Sequence, residues 1–348
     1  MNVTFSTGAR AVTPRNVLIT AASRRVPLVR AFKGAVARAG GRGRVLVTDV
    51  NPLSPAIHAA DDWFLVPMAT DPAYVDALLE ICAAERISLL VPTIDDELEP
   101  MSAAIERFAR IGTRVAVSPE VTNRICNDKY ETCVHLRASG IAAAESCLPL
   151  QLPVNPRFPL LVKPRVGRGG VGAFPVKDRR ELEFFLDYVE RPIVQEFLDG
   201  PEFTIDMLCD FDGRPLSVVP RERVVIRAGV IDRGRTVQDP QLIDLALSVA
   251  RVLPCAGAVN VQCRVVQGRP VVFEINPRFS GGIPLTIAAG ADFPMMLVAL
   301  AAGQRVAPAI GRFRGDLWMT NYESSVFLDA ADLSAVRRPR RTAIGEVA

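Results

Sequence analysis

Apolar positions in the first third of the chain fall into short unbroken runs separated by stretches of helical spacing. Residues 16–20 (NVLIT), 45–49 (VLVTD), 63–66, 87–92 (ISLLVP) and 114–117 are such runs. Runs of this length bounded by small or polar residues suit strands covered on both faces. Between them, residues 27–39 set Leu28, Phe32 and Val36 on one stripe, and residues 72–84 form a second helical segment. Strands alternating with helices predict βαβ units and a parallel sheet. In such sheets ligands collect beyond the carboxyl ends of the strands, which singles out Arg24 and Arg25, Asp49, and residues 93–97 with Asp95, Asp96 and Glu97. The acidic trio also suits a helix start, where the helix dipole favours negative charge. The first strand is not followed by GxGxxG, so the backbone there lacks the close approach that a dinucleotide pyrophosphate needs.

The pattern then changes. Residues 123–140 read as helix with Asp128 and Lys129 near a turn and Gly140 as the stop, residues 158–163 as a strand, 181–189 as an amphipathic helix, 193–198 as a strand and 241–253 as a helix. Residues 259–266 and 271–276 alternate across the short turn 267–270, which predicts a hairpin. The apolar stretch 283–302 is interrupted by Pro284, Asp292 and Pro294 and reads as buried helix, not a membrane span. The first fifteen residues lack an apolar h-region and read as a tail, and the basic run within 333–341 as a solvated one.

Composition adds limits. The 348 residues are 49% hydrophobic and 23% charged with a formal net charge of +3, an ordinary globular balance that gives no sign of a nucleic-acid partner. The 7 cysteines include no CxxC pair and read as buried thiols of a reducing cytoplasm. His58 and His135 are too far apart for a zinc motif. Lysine is confined to Lys33, Lys129, Lys163 and Lys177.

Candidate chemistry concentrates in two places. In the hairpin, Glu274 and Asn276 stand two apart and face one side of their strand, with Arg278 following and Gln262 on the partner strand. Oxygen ligands of this kind suit Mg²⁺, which fills its remaining positions with phosphate oxygens and water, and an arginine beside them suits an anion. An ordinary strand end is the alternative for these residues taken alone. Residues 164–172 (PRVGRGGVG) follow a strand ending in Lys163; Gly167, Gly169 and Gly170 let backbone amides fold over phosphates, although no GK[ST] makes this a Walker loop. Arg221, Arg223 and Arg227 line a predicted strand and suit either a phosphate pocket or the surface.

The hairpin GAVNVQCRVV and PVVFEINPRFSGG resembles the metal-binding hairpin of ATP-grasp enzymes, closest to the carbamoyl-phosphate synthase type, and the other motifs follow in that family's order from about residue 16 to 303. The resemblance implies an α/β chain: an N-terminal Rossmann-like pre-ATP-grasp domain over 16–118, then a two-lobed ATP-grasp fold over 119–310 with a lid at about 130–198, and a C-terminal extension over 311–348. It implies that Gln262, Glu274 and Asn276 hold Mg²⁺ or Mn²⁺ on ATP, with Gln262 where many members carry a carboxylate. The resemblance further implies that Lys129, Lys163 and the glycine loop contact the phosphates, that the backbone of Glu196 and Leu198 holds adenine, and that Glu202 holds the ribose. It likewise implies catalytic roles for Arg278 and Lys163, and Gly170 stands where many members carry a serine. Arg24, Arg25, Arg227 and Ser280 are expected near an anionic, amino-acid-like acceptor, with Asp95 and Glu97 toward an ammonium group.

The function implied is an ADP-forming carboxylate–amine ligase working through an acylphosphate on small, amino-acid-like molecules, in the cytoplasm, away from membranes and nucleic acid, with a homodimer as the expected assembly. A phosphotransferase, a carbamoyl-phosphate-type enzyme and a non-catalytic nucleotide-binding protein remain as alternatives.

Overall fold

The computed structural model describes residues 16–40, 43–167 and 169–331. The expected tails at the two ends, and Arg168, lie outside these residues. Strands β1 (Asn16–Ile19), β2 (Val45–Asp49), β3 (Asp62–Leu65), β4 (Ile87–Val91) and β5 (Arg114–Val115) form a parallel sheet of order β3-β2-β1-β4-β5. Helices α1 (Val26–Arg38), α2 (Tyr74–Ala84), α3 (Leu98–Ala103) and α4 (Ile105–Arg110) cover its faces. Alternate strand residues serve opposite cores: Val17, Ile19, Val45 and Val47 pack with Leu28 and Phe32 of α1, while Leu18, Leu46 and Leu90 pack with Leu78 of α2 and Phe108 of α4. This is why the strands appear in sequence as unbroken apolar runs. Strand order reverses at β1, whose neighbours are β2 and β4, so a crevice opens beyond the carboxyl ends of β1 and β4.

The helical stretch expected over 123–140, with its turn near Asp128 and Lys129, is two helices, α5 (Glu120–Asn127) and α6 (Lys129–Ala138). Asp128 breaks them: its backbone is extended and its carboxylate accepts from the amides of Tyr130 and Glu131 as the N-cap of α6. The lid comprises β6 (Ser146–Cys147), β7 (Leu160–Pro164), β8 (Phe174–Val176), helix α7 (Arg179–Tyr188) and β9 (Pro192–Glu196), with sheet order β6-β9-β7-β8 around a small core of Val162, Val176, Leu182 and Val194. Helix α6 packs chiefly against the hairpin and also against β6 of the lid sheet.

The third layer is an antiparallel sheet of β10 (Glu202–Cys209), β11 (Pro215–Arg227), β12 (Val230–Thr236), β13 (Gly257–Val266), β14 (Arg269–Asn276) and β15 (Trp318–Thr320), in the order β14-β13-β10-β11-β12-β15. Helix α8 (Pro240–Val252) joins β12 to β13 and packs Leu242, Ala246 and Val249 on the apolar face made by Ile205, Met207, Val259 and Val261. The residues after 310, set apart in sequence as an extension, supply β15 to this sheet. The stretch 283–302 is α9 (Ile283–Ala288) and α10 (Phe293–Ala301), parted near Asp292, which caps α10. Helix α10 packs on α1 and so ties the sheet layers together. No helix among the described residues is long and apolar enough to cross a membrane. All seven cysteines are free thiols.

Candidate nucleotide and metal site

The β10–β14 sheet buries one face and turns the other into a cleft of about 520 Å³ roofed by the lid. Strand alternation decides which side chains face it. Glu202 and Thr204 of β10, Asn260, Gln262 and Arg264 of β13, Glu274 and Asn276 of β14, and Arg221 and Arg223 of β11 all line the cleft, while the residues between most of them enter the apolar core. Register sets the rows: Gln262 lies opposite Glu274 on one side and Thr204 on the other, and Asn260 opposite Asn276 and Asp206. The predicted meeting of Gln262 with Glu274 is therefore the observed strand pairing. A bulge at the β13–β14 pair restores it after Cys263 pairs with Val272, which leaves Phe273 over the cleft, 5.6 Å from Lys163 Nζ.

This donor set fits a hard divalent cation. Gln262, Glu274 and Asn276 present oxygens from adjacent positions on paired strands, and the set holds one carboxylate. Among the described residues no cluster of three His, Cys, Asp or Glu side chains exists elsewhere to hold a metal. A site of one carboxylate and two amides suits an ion that keeps phosphate and water ligands. The Oδ1 of Asn276 already accepts from Arg278 Nη2 at 3.0 Å, and that guanidinium also pairs with Asp95 at 3.0 Å.

The lysines approach from the lid and α6. Lys129, the first residue of α6, donates to the Gly167 carbonyl and stands 3.9 Å from Glu274. Lys163, the last but one residue of β7, donates to Gln195 Oε1 at 2.8 Å and makes no ion pair among the described residues. Its burial lowers its pKa from 10.5 to about 8, only partly offset by Glu274. Free Lys163 thus loses its charge as pH rises through about 8, and a bound polyphosphate restores it. Nucleotide binding is expected to take up a proton between pH about 8 and 10.5 and none near neutrality, as calorimetry in buffers of different ionisation enthalpy would show; uptake independent of pH would oppose this.

Glycines let the lid loop close on the sheet. Gly169 and Gly170 adopt φ of +68° and +69°. Gly229, at the β11–β12 tip with φ of +73°, meets this loop so closely that a Cβ there would lie 2.5 Å from Gly169 Cα. Gly229→Ala should displace the loop and raise the KM for ATP by about tenfold, since small misplacements of positioning groups weaken catalysis strongly; an unchanged KM would show that the contact is dispensable.

Glu196, Phe197 and Leu198 form the junction between β9 and β10 and line the cleft, as expected of a hinge. Glu196 commits its amide to the Glu145 carbonyl and its carboxylate to the Glu145 amide, so it holds the hinge in place. Glu202 faces the cleft but pairs with both Arg223 and Arg264. Ser280 is buried in the cleft and accepts from Arg221 at 2.9 Å. Arg25 enters the same end and donates to the carbonyls of Thr93, Phe279 and Ser280.

Three expected substrate contacts are corrected. Glu97 is fully buried and accepts from Tyr74, Thr93 N and Ile94 N, so it closes its own turn; burial raises its pKa. Arg24 is exposed and absent from the cleft wall, because the tight turn that sends Arg25 inward sends its neighbour out. Arg227 is exposed and pairs with Glu323. Register shifts between Arg223 and Ile226 reverse the strand's facing, so Ile226 lines the cleft and Arg227 does not. Asp95 reaches the site only through Arg278.

Sequence reading missed Asn260 and Asp206. Asn260 Nδ2 donates to the carbonyls of Asn276 and Arg278, spanning the turn that carries both. Its place two residues before Gln262 on a cleft-facing strand was a readable signal. Asp206 binds Arg221 through both oxygens, at 2.7 and 3.1 Å, and accepts from Thr286 at 2.5 Å; only the fold brings these together.

Residues 189–324 match the family described as ATP-grasp in the biosynthetic pathway with Ter operon, and residues 17–116 match the PylC-like N-terminal domain. An uncharacterized protein of Sinorhizobium fredii, y4rH, is 25% identical over 281 residues, 70% of this chain and 57% of that protein. The carbamoyl phosphate synthase large chain of Thermoanaerobacter sp. is 28% identical over 181 residues, 46% of this chain and 16% of that protein. The chain thus spans little more than half of one relative and a small part of the other. In fold it resembles the biotin carboxylase of Campylobacter jejuni, solved with β-γ-ATP (TM-score 0.70, 14% identity, 87% of this chain and 74% of that one). It also resembles the L-amino acid ligase of Bacillus licheniformis (TM-score 0.66, 18% identity, 88% and 78%).

Proposed function

We propose that this chain, an ATP-grasp protein with a PylC-like N-terminal domain and a single ATP-grasp unit, is an ADP-forming ligase that joins a small carboxylate to an amine. The observation that carries the reading is the convergence in one cleft of Gln262, Glu274 and Asn276 on paired strands with Lys129, Lys163 and Arg278. Adenine lies at the β9–β10 junction beside Leu198, and the triphosphate runs beneath the glycine loop toward Glu274. Mg²⁺ held by Gln262, Glu274 and Asn276 supplies charge neutralisation at the phosphates when bound.

The chain's own residues do the rest by position and charge. Lys129 and Lys163 orient the phosphates, and the loop over them excludes water that would hydrolyse an activated acyl group. The substrate carboxylate displaces ADP at the γ-phosphorus to give an acylphosphate, and the amine then attacks the acyl carbon and expels phosphate. Arg278, fixed by Asn276 and Asp95, stabilises the negative charge of both steps. No protein nucleophile is required. The free thiols and the small-molecule cleft suit a cytoplasmic enzyme.

The test is ADP release from ATP and Mg²⁺ over a matrix of carboxylates and amines, with Glu274→Gln as control. Turnover that needs both substrates and vanishes in the control supports the ligase. Turnover with a carboxylate alone would replace it with a phosphotransferase.

A further inference from the structure

Lys163 is a buried cation that, among the described residues, pairs with no carboxylate. It is 5% exposed, donates to Gln195 Oε1 at 2.8 Å, and stands 5.6 Å from the ring of Phe273. The titratable groups around it are Glu274 of β14, Cys133 and Lys129 of α6, and Glu202 of β10. A buried charge is costly unless it is paired and hydrogen-bonded. The contact with Gln195 therefore decides where the ammonium sits and how much of its charge a ligand can use.

Gln195 makes that contact through an oxygen with no freedom to turn away. The residue is 2% exposed on β9. Its Nε2 donates to Ser146 Oγ of β6 at 2.9 Å and to Cys133 Sγ of α6 at 3.4 Å. Ser146 in turn donates its hydroxyl to the Ala144 carbonyl at 3.0 Å. A backbone carbonyl only accepts, and a serine has one proton to give, so the direction of every bond in this chain is settled. Ser146 Oγ accepts from Gln195, the amide nitrogen faces it, and the amide oxygen is left for Lys163. Cys133 lies four residues, about one turn, along α6 from Lys129. The amide that fixes one phosphate-side lysine thus rests on the helix that begins with the other.

We propose that Gln195 is the positioning residue for Lys163: it holds the ammonium toward the phosphate end of the cleft by a neutral hydrogen bond, and so leaves the full positive charge to the nucleotide. A carboxylate in its place would hold the lysine as well but would occupy its charge. The neutral partner also leaves burial largely unopposed, and free Lys163 has its pKa lowered from 10.5 to about 8. Above pH about 8 the free lysine is deprotonated and the polyphosphate must draw a proton in, so affinity falls as pH rises from there toward 10.5. The assignment rests on the nucleotide site of the ligase reading and goes beyond it, to a residue that acts through Lys163.

The experiment is calorimetric titration of the full chain at pH 7.0 and 9.5 with Mg²⁺ and a non-hydrolysable ATP analogue, and with adenosine as the phosphate-free control. In the parent, affinity for the analogue should fall on the order of 30-fold between the two pH values, while that for adenosine holds. Gln195→Glu has the same shape and keeps Lys163 charged in the free protein, so it should flatten the fall to less than about threefold. Gln195→Met keeps the volume but offers no acceptor. It should weaken the analogue about tenfold at pH 7.0 and leave adenosine within about twofold, a split that general damage to the fold would not produce. A parent profile flat in pH, a Glu variant as pH-sensitive as the parent, or a Met variant that binds the analogue as the parent does would each overturn the assignment. Each variant is decisive without the other, should one fail to fold. A parent that binds neither ligand would sink the nucleotide site itself; a parent that binds both, with variants indistinguishable from it, would sink only the role of Gln195.

Discussion

Replacing Glu274 with glutamine is expected to lower ADP release by on the order of 10²–10³-fold, the usual cost of deleting one well-placed electrostatic group in an active site. The substitution keeps shape and one amide oxygen, so it tests charge and not packing. Glu274 is the single carboxylate of its trio, its partners being Gln262 and Asn276, so its loss leaves a cation site with no protein charge. Lys129, 3.9 Å away, loses its counter-ion as well. Glu274 is also the largest contributor holding Lys163 protonated. The variant should therefore shift the window of proton uptake on nucleotide binding to lower pH, a readout independent of turnover. Its folding stability should stay within about 1 kcal/mol of the parent, because the residue is partly exposed at the cleft wall. ADP release within threefold of the parent would remove Glu274 from the metal site.

Asp206→Ala should be the most destabilising single change in the cleft, at about 3–5 kcal/mol by urea unfolding, against a total stability on the order of 5–15 kcal/mol. Asp206 and Arg221 are 2% and 1% exposed in their side chains. Removing the carboxylate leaves a buried guanidinium with only Ser280 to bind and frees Thr286 of its acceptor. A double replacement, Asp206→Leu with Arg221→Met, removes both charges at once and should recover much of the loss, since a buried ion pair exchanged for apolar groups is often neutral. If the single variant unfolds at the parental urea concentration, Arg221 has found water or another anion, and the pair is not the structural tie described.

Much of the fold was legible because strand and helix periods are local properties. The unbroken runs at 16–20 and 45–49 follow from burial on two faces, and the alternation at 259–276 from burial on one. The trio Gln262, Glu274 and Asn276 was readable for the same reason: alternate residues share a face, and a short turn fixes their pairing. A turn near Asp128 and Lys129 was legible within 123–140, whereas the full division into two helices rests on the cap that Asp128 provides to the amides following it in space.

Charged residues proved the least readable. Asp95 and Glu97 are two apart in sequence, yet one pairs with Arg278 and the other closes on Tyr74. Arg221 and Arg227 share a strand, and register shifts decide that only the first faces the cleft. Sequence by itself determined the order of elements, the polar face of the hairpin and the glycine loop, since each is set by neighbours within a few residues. The tertiary structure alone decided which carboxylates are spent on internal partners and which arginines keep a donor free. That choice depends on groups brought together from residues far apart in the chain, such as Asp206, Arg221, Ser280 and Thr286, and a buried charge is settled by the sum of those contacts.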